Sequence, residues 1–248
     1  MGIEEENVKT CFNTGLVVDI KGLGEGEGGG EVKCIAIRAD IDALPMGENN
    51  EALGYRSETD HAHMCGHDGH TAMLLAAASV LAQKRLEIPK QLTVRLLFQP
   101  AEEGEGGALP MIAEGCLQQV EEVYGGHNEP EFPLGHIVTK PGSCMAGVCF
   151  VDIQILGRGG HGSQPWTLKD PVNAAAHVLV GLNAIQARNV DAFETFVLTI
   201  CSIQAGTTNN VFPDSAFLKG SIRFFSDEVG LKVKQRIEEI ASTTAKAH

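Results

Sequence analysis

Apolar positions first appear as two short β-rich runs, residues 17–20 and 32–37, joined by the glycine-glutamate stretch GLGEGEGGGE. A segment of that composition reads as a flexible connection, so the pair predicts a hairpin with a long mobile tip. Residues 71–86 are rich in Ala and Leu with apolar residues all round, which predicts a buried helix. Residues 92–98 form a continuous apolar run interrupted only by Arg95, the pattern of a strand in a covered sheet. A helical pattern at 108–117 and a short strand at 120–124 follow. Strand and helix alternate, so the first half predicts an α/β layer structure.

The rhythm then changes. Residues 148–156 read as a strand. Asp170 is an N-cap with Pro171 at the first helical position, opening a helix to about residue 187. Strands at 196–204 and 216–225 follow, then a helix from 227 to about 245 with Val229, Val233, Ile237 and Ile240 at helical spacing. This β-α-β-β-α order is one strand short of a ferredoxin-like split βαβ sandwich. The expected division is 1–145 and 146–248, with the boundary at the glycines near 142–147.

Composition narrows the classes. With 248 residues and 43% apolar content, the chain can bury real cores. No apolar run is long enough for a transmembrane helix, and the N-terminus has neither the basic nor the apolar region of a secretory signal. Met1-Gly2 lacks the hydroxyl residue that myristoylation needs, because Glu6 occupies its position. A net charge of −13 repels phosphate backbones and anionic membranes, so neither nucleic acid nor membrane is an expected partner. Seven scattered cysteines in a long chain suit a reducing, cytoplasmic setting rather than a disulfide scaffold.

Chemistry concentrates in a few loops. In HAHMCGHDGH, Cys65 and His67 lie two apart ahead of a helix; on an extended approach both would face one side and reach one ion. Glu102 and Glu103, in FQPAEEG, follow an apolar strand, and extended backbone would turn them to opposite sides, one toward an ion and one toward its water. His127, in GGHN, follows the next strand. Each loop alone also fits an ordinary surface loop. Together they put the residue types of metal-assisted hydrolysis at successive strand ends. In the second half, His161 stands in the glycine-rich GRGGHGSQPW, and Asn210 and Arg223 could together hold a carboxylate, although Gly, Asn and Pro also mark plain turns.

RADIDALP, CGHDGHTA, FQPAEEG, GGHNEP, GRGGHGSQP, the Asn210–Pro213 N-x-x-P and GSIR occur in order with fitting gaps. The chain thereby resembles the amidohydrolase branch of the aminoacylase/carboxypeptidase metallopeptidases, which includes hippurate hydrolases, auxin-conjugate amidohydrolases and acetyl-diaminopimelate deacetylases. The resemblance implies a zinc-peptidase-like catalytic domain with a mixed sheet, plus a ferredoxin-like lid and dimerisation domain. It implies hydrolysis of N-acyl amino acids by two divalent ions, zinc or manganese. Cys65, His67, Glu103 and His127 would be ligands and Glu102 the general base. His161 would polarise the substrate carbonyl, and Asn210 and Arg223 would lie near the substrate carboxylate. Asp40, Asp42 and Asp68 would support the site, and the lid would pair two copies.

The family adds a helical segment before the strand at 17–20, and after the lid it returns to the catalytic domain with a final ligand histidine. His248 does not match that ligand's setting. The expectation is therefore a chain incomplete at both ends, with one ligand missing and apolar faces uncovered. The alternative is a truncated, non-catalytic relative acting as a binding or dimerising module, with a sheet edge left unpaired.

Overall fold

The computed structural model of the chain describes residues 3–26, 32–104 and 106–248. They form two compact units, Met1–His136 and Ile137–His248. No described helix is long and apolar enough to cross a membrane.

In the first unit, β1 (Val8–Cys11), β2 (Gly15–Lys21), β3 (Lys33–Asp40), β4 (Leu92–Gln99) and β5 (Val120–Gly125) make one sheet in the order β1-β2-β4-β3-β5. β1, β2 and β4 pair antiparallel, whereas β4, β3 and β5 run parallel. The expected hairpin of β2 with β3 is therefore wrong: β4 lies between them. A parallel β3–β4 pair needs a crossover, and α1 (His67–Gln83) supplies it. The glycine-glutamate connection lies partly outside the described residues. A shorter helix, α2 (Ala108–Ala113), precedes β5.

The centre of the sheet is covered on both faces, which is why β4 reads as continuously apolar, whereas the edge strand β5 is largely exposed. Val94, Leu96 and Phe98 pack with Leu74 and Ala78 of α1, while Leu97 packs with Met111 of α2 and Cys116. Arg95 also lies on the α2 face. Its guanidinium holds Asp19 of β2 through two contacts, Nε to Oδ1 at 2.7 Å and Nη2 to Oδ2 at 2.9 Å, and donates to the carbonyls of Cys116 and Gln118. The hydrogen bond to Asp19, and its charge, raise the arginine's pKa further despite burial. α1 is not buried all round as its composition suggests: Leu74 and Ala78 are covered, but Met73, Leu75 and Val80 are exposed.

The second unit comprises β6 (Gly147–Leu156), β7 (Gly160–His161), α3 (Pro171–Asn183), α4 (Ile185–Asn189), β8 (Phe196–Ala205), β9 (Val211–Phe212), β10 (Ser215–Phe224) and α5 (Asp227–Ala247). β6, β10 and β8 form an antiparallel sheet in that order, and β7 pairs with β9 as a separate ribbon. Asp170 caps α3 by accepting from the backbone of Val172 and Asn173, and Ser226 caps α5 through Val229. Val178 and Leu182 of α3 share one core with Val229, Val233 and Ile237 of α5 and with Leu218 and Ile222 of β10. Each such fully buried aliphatic side chain contributes roughly 1.5–3 kcal/mol.

Candidate metal centre

The parallel strands β3, β4 and β5 all end on one side of the first unit, where open α/β sheets place their ligands. β3 delivers Asp40 and, two residues on, Asp42. The turn after β4 delivers Glu102 and Glu103, and the segment after β5 delivers His127 and Asn128. α1 begins at His67, so its first turn points the same way.

Cys65, His67 and Glu103 each present a donor atom within 4.8 Å of the others. Cys65 Sγ also lies 3.5 Å from His127 Nε2. Donors held about 2.0–2.3 Å from one tetrahedral ion stand roughly 3.3–3.8 Å apart, so the Cys65–His127 spacing is that of side chains able to share an ion. Glu102 approaches too, its Oε2 4.0 Å from His67 Nε2.

Two expectations about local backbone need correction. Cys65 and His67 do not lie on an extended approach. Cys65 sits in a turn and Gly66 is left-handed, with φ +81°, so the chain doubles back before α1. A Cβ at Gly66 would come within 2.3 Å of the Asn128 side-chain amide. Nor do Glu102 and Glu103 diverge on extended backbone. They lie in a turn, and both carboxylates come within 4.0 Å of His67 Nε2. Two features fold them to one side. Ala101 takes the left-handed region, φ +54°, and Asp42 Oδ2 accepts the Glu103 backbone N–H at 3.0 Å.

Both imidazoles are oriented from behind. His67 Nδ1 donates to the Asp42 carbonyl at 3.0 Å, and His127 Nδ1 to the Asn128 carbonyl at 2.7 Å. Each leaves Nε2 facing the cluster, the arrangement by which ligating histidines are commonly held. His67 is buried, yet its Nε2 makes no hydrogen bond among the described residues. The nearest oxygens belong to Asp40 at 3.7 Å, Glu103 at 3.8 Å and Glu102 at 4.0 Å. A ring nitrogen facing three carboxylates is a place where a divalent cation would satisfy all of them at once. Asp42 Oδ1 is also buried without a hydrogen bond; the nearby His67 Nδ1, at 3.3 Å, is spent on the carbonyl. The residues present thus fit a divalent-ion site.

Burial alone would raise the carboxyls of Asp40 and Asp42, but the surroundings reverse it. The His70 hydrogen bond and Arg38 charge hold Asp40 below its usual range, and backbone hydrogen bonds from Glu103 and Glu102 do so for Asp42. Arg38 contacts Asp40 at 2.6 Å and the Gln99 side chain at 3.0 Å. Cys65 goes the other way. Burial, then its hydrogen bond to Glu103 and the Glu103 charge, push its thiol up to about 11 when no cation offsets them.

His70 and Asn128 were not singled out as site residues by the sequence, although His70 lies one helical turn after His67. His70 is buried, with Nδ1 2.6 Å from Asp40 Oδ1. Asp68 is exposed and its carboxylate accepts from Gly69 N–H. In the second unit, His161 sits on β7 opposite Val211, and Gly162 N–H donates to the Asn210 carbonyl, so His161 and Asn210 occupy one ribbon. Ser163 N–H donates to His161 Nδ1 at 3.3 Å, and Ser163 Oγ lies 2.7 Å from the same nitrogen. Arg223 is exposed on β10.

Residues 36–245 match the peptidase family M20/M25/M40. The chain is 39% identical over 248 residues to the N-acetylcysteine deacetylase of Bacillus subtilis (strain 168), covering 98% of this chain and 63% of that enzyme. It is 40% identical over 223 residues to the hippurate hydrolase of Campylobacter jejuni, covering 89% of this chain and 57% of that one. Among solved structures, a Bacillus subtilis dinuclear metal binding peptidase from the M20 family superposes with a TM-score of 0.75 at 35% identity, over 99% of this chain and 60% of the other. The chain therefore spans roughly three fifths of the length of these relatives.

Proposed function

This chain belongs to the peptidase family M20/M25/M40, and from that premise we propose that it is the metal-binding part of an amidohydrolase acting on N-acyl amino acids. The observation that carries the reading is the convergence of Cys65, His67, Glu103 and His127, with His67 Nε2 facing the cluster and left without a hydrogen bond among the described residues. Two divalent ions, zinc or manganese, would be held by these residues. Thiolate and imidazole suit a borderline-soft ion, and the dinuclear metal binding of the M20 relative supports the count of two. Bound there, such ions lower the pKa of water and polarise a carbonyl.

The chain's own groups take the remaining roles. Glu102, beside Glu103 and partly open to solvent, takes the proton of the attacking water and returns it to the leaving amine. Asp42 fixes both the His67 ring and the glutamate turn, and Asp40 backs His67 and His70. His161 receives the Ser163 N–H on Nδ1, so its neutral ring carries the proton on Nε2 and can donate to a carbonyl oxygen becoming negative. Asn210 and Arg223 are assigned to the substrate carboxylate. The deacetylase and hippurate hydrolase relatives support an amide substrate of this class.

The second unit is read as a lid of ferredoxin-like type through which two copies pair. Its antiparallel sheet sharing one core with two long helices supports that architecture. Seven free cysteines support a reducing, cytoplasmic setting. The net charge of −13 argues against nucleic-acid or membrane partners. The test is metal analysis of the purified chain together with hydrolysis assays on a panel of N-acyl amino acids. Absence of stoichiometric metal after loading with zinc or manganese would overturn the reading.

A further inference from the structure

His70 stands at the crossing of three segments that each carry part of the metal cluster. It lies on the first turns of α1, three residues after His67. Its Nδ1 is 2.6 Å from Asp40 Oδ1, at the end of β3. Its Nε2 receives the Asn128 backbone N–H at 2.9 Å and lies 2.8 Å from Asn128 Oδ1, after β5. The ring packs edge-on against His127, with centroids 4.7 Å apart, and stacks near His67 at 5.5 Å.

Asp40, His67 and His70 also lie close enough together to suggest an ion site of their own. However, both ring nitrogens of His70 are engaged by protein groups, so it has no lone pair to give an ion. Its partners matter more. Asn128 donates through Nδ2 to the Gly66 carbonyl at 3.3 Å, between Cys65 and His67, and its own carbonyl receives His127 Nδ1. One chain of hydrogen bonds therefore runs from Asp40 through His70 to Asn128. From there it branches to the loop holding Cys65 and to the ring of His127.

We propose that His70 is a positioning residue that acts through Asn128 to set the distance between Cys65 and His127. The inference rests on the metal-binding reading and adds a residue to it. Without the His70 ring, Asn128 loses its partner at that nitrogen, whether through its backbone N–H or its Oδ1, and the His127 segment is free to turn away from Cys65. Truncation to an aliphatic side chain fills the space but cuts both links. His70→Asn can keep a donor toward Asp40, whereas His70→Gln can keep a partner for Asn128.

The experiment compares the unaltered chain with His70→Leu, His70→Asn and His70→Gln by two measurements. Calorimetric titration with zinc alone should show affinity falling about 10–100-fold in His70→Leu and His70→Asn, and less in His70→Gln. Nitrogen NMR of the metal-free chains should show the His127 ring leaving its single tautomer in His70→Leu and His70→Asn while His70→Gln retains it. A His127 signal unchanged in all three variants overturns the proposal, whatever the zinc data show. Failure of the unaltered chain to bind zinc, with His127 still responding to His70, overturns the metal-binding reading and leaves the positioning role of His70 standing.

Discussion

Cys65 Sγ and His127 Nε2 lie 3.5 Å apart across 62 residues of sequence. Neither belongs to the regular body of a strand or helix: one precedes α1 and the other follows β5. Their meeting depends on β3 and β5 being parallel neighbours and on Gly66 turning back under Asn128.

The first prediction concerns protons. In the metal-free chain the Cys65 thiol titrates near 11, raised by burial and by the carboxylates around it. It is therefore protonated at neutral pH, and a cation must displace that proton to gain a thiolate ligand. Zinc affinity should rise with pH between 6 and 8, by up to about tenfold per unit from this one proton. Titration calorimetry in buffers of different ionisation enthalpy would detect the release, which Cys65→Ser should abolish.

Glu102→Gln should separate chemistry from binding. The amide keeps the shape but cannot accept a proton, so turnover of an N-acyl amino acid should fall about 10²–10⁴-fold. Metal content, measured on the same sample, should stay near that of the unaltered chain. Equal loss of metal and turnover would make Glu102 a ligand instead of a base.

Gly66→Ala places a Cβ at φ +81° and against the Asn128 amide. The left-handed conformation alone costs about 1–2 kcal/mol for a residue with a side chain. Urea denaturation should show at least that loss, with weaker zinc binding beside it, because the displaced Asn128 also carries the His127 contact.

Arg95 and Asp19 form a two-pronged ion pair on the largely covered α2 face of the first sheet. Removing one partner strands the other only in part, since Arg95 keeps the Cys116 and Gln118 carbonyls, so Asp19→Ala should destabilise the chain by about 1–3 kcal/mol. A double-mutant cycle with Arg95→Met should return part of that loss, because an apolar pair leaves no half-buried charge unmatched.

In the second unit, Ile222→Ala should cost about 2–5 kcal/mol, since Ile222 is fully enclosed between the sheet and its helices. Thermal melting monitored by circular dichroism would measure it.

Local periodicity alone determined much of this protein. β4 was legible because a strand covered on both faces has no reason to alternate, and α5 because Val229, Val233 and Ile237 recur at one helical face. Asp170 and Pro171 marked the start of α3 through capping chemistry that is local by nature. The donor types in the loops of Cys65 and His67, of Glu102 and Glu103 and of His127 were legible locally, since donor chemistry belongs to a residue wherever it sits, but which glutamate would ligate came only from the family resemblance. Tertiary structure alone decided how these pieces meet. Strand order is set by long-range pairing, so β4 could come between β2 and β3 although the sequence suggested a hairpin. The turns at Gly66 and Ala101, which bring Cys65 beside His67 and both glutamates to one side, depend on contacts from Asn128 and Asp42 in distant segments. His70 shows the limit most clearly: its spacing from His67 is in the sequence, but its bonds to Asp40 and Asn128 exist only once the ends of β3 and β5 meet the start of α1.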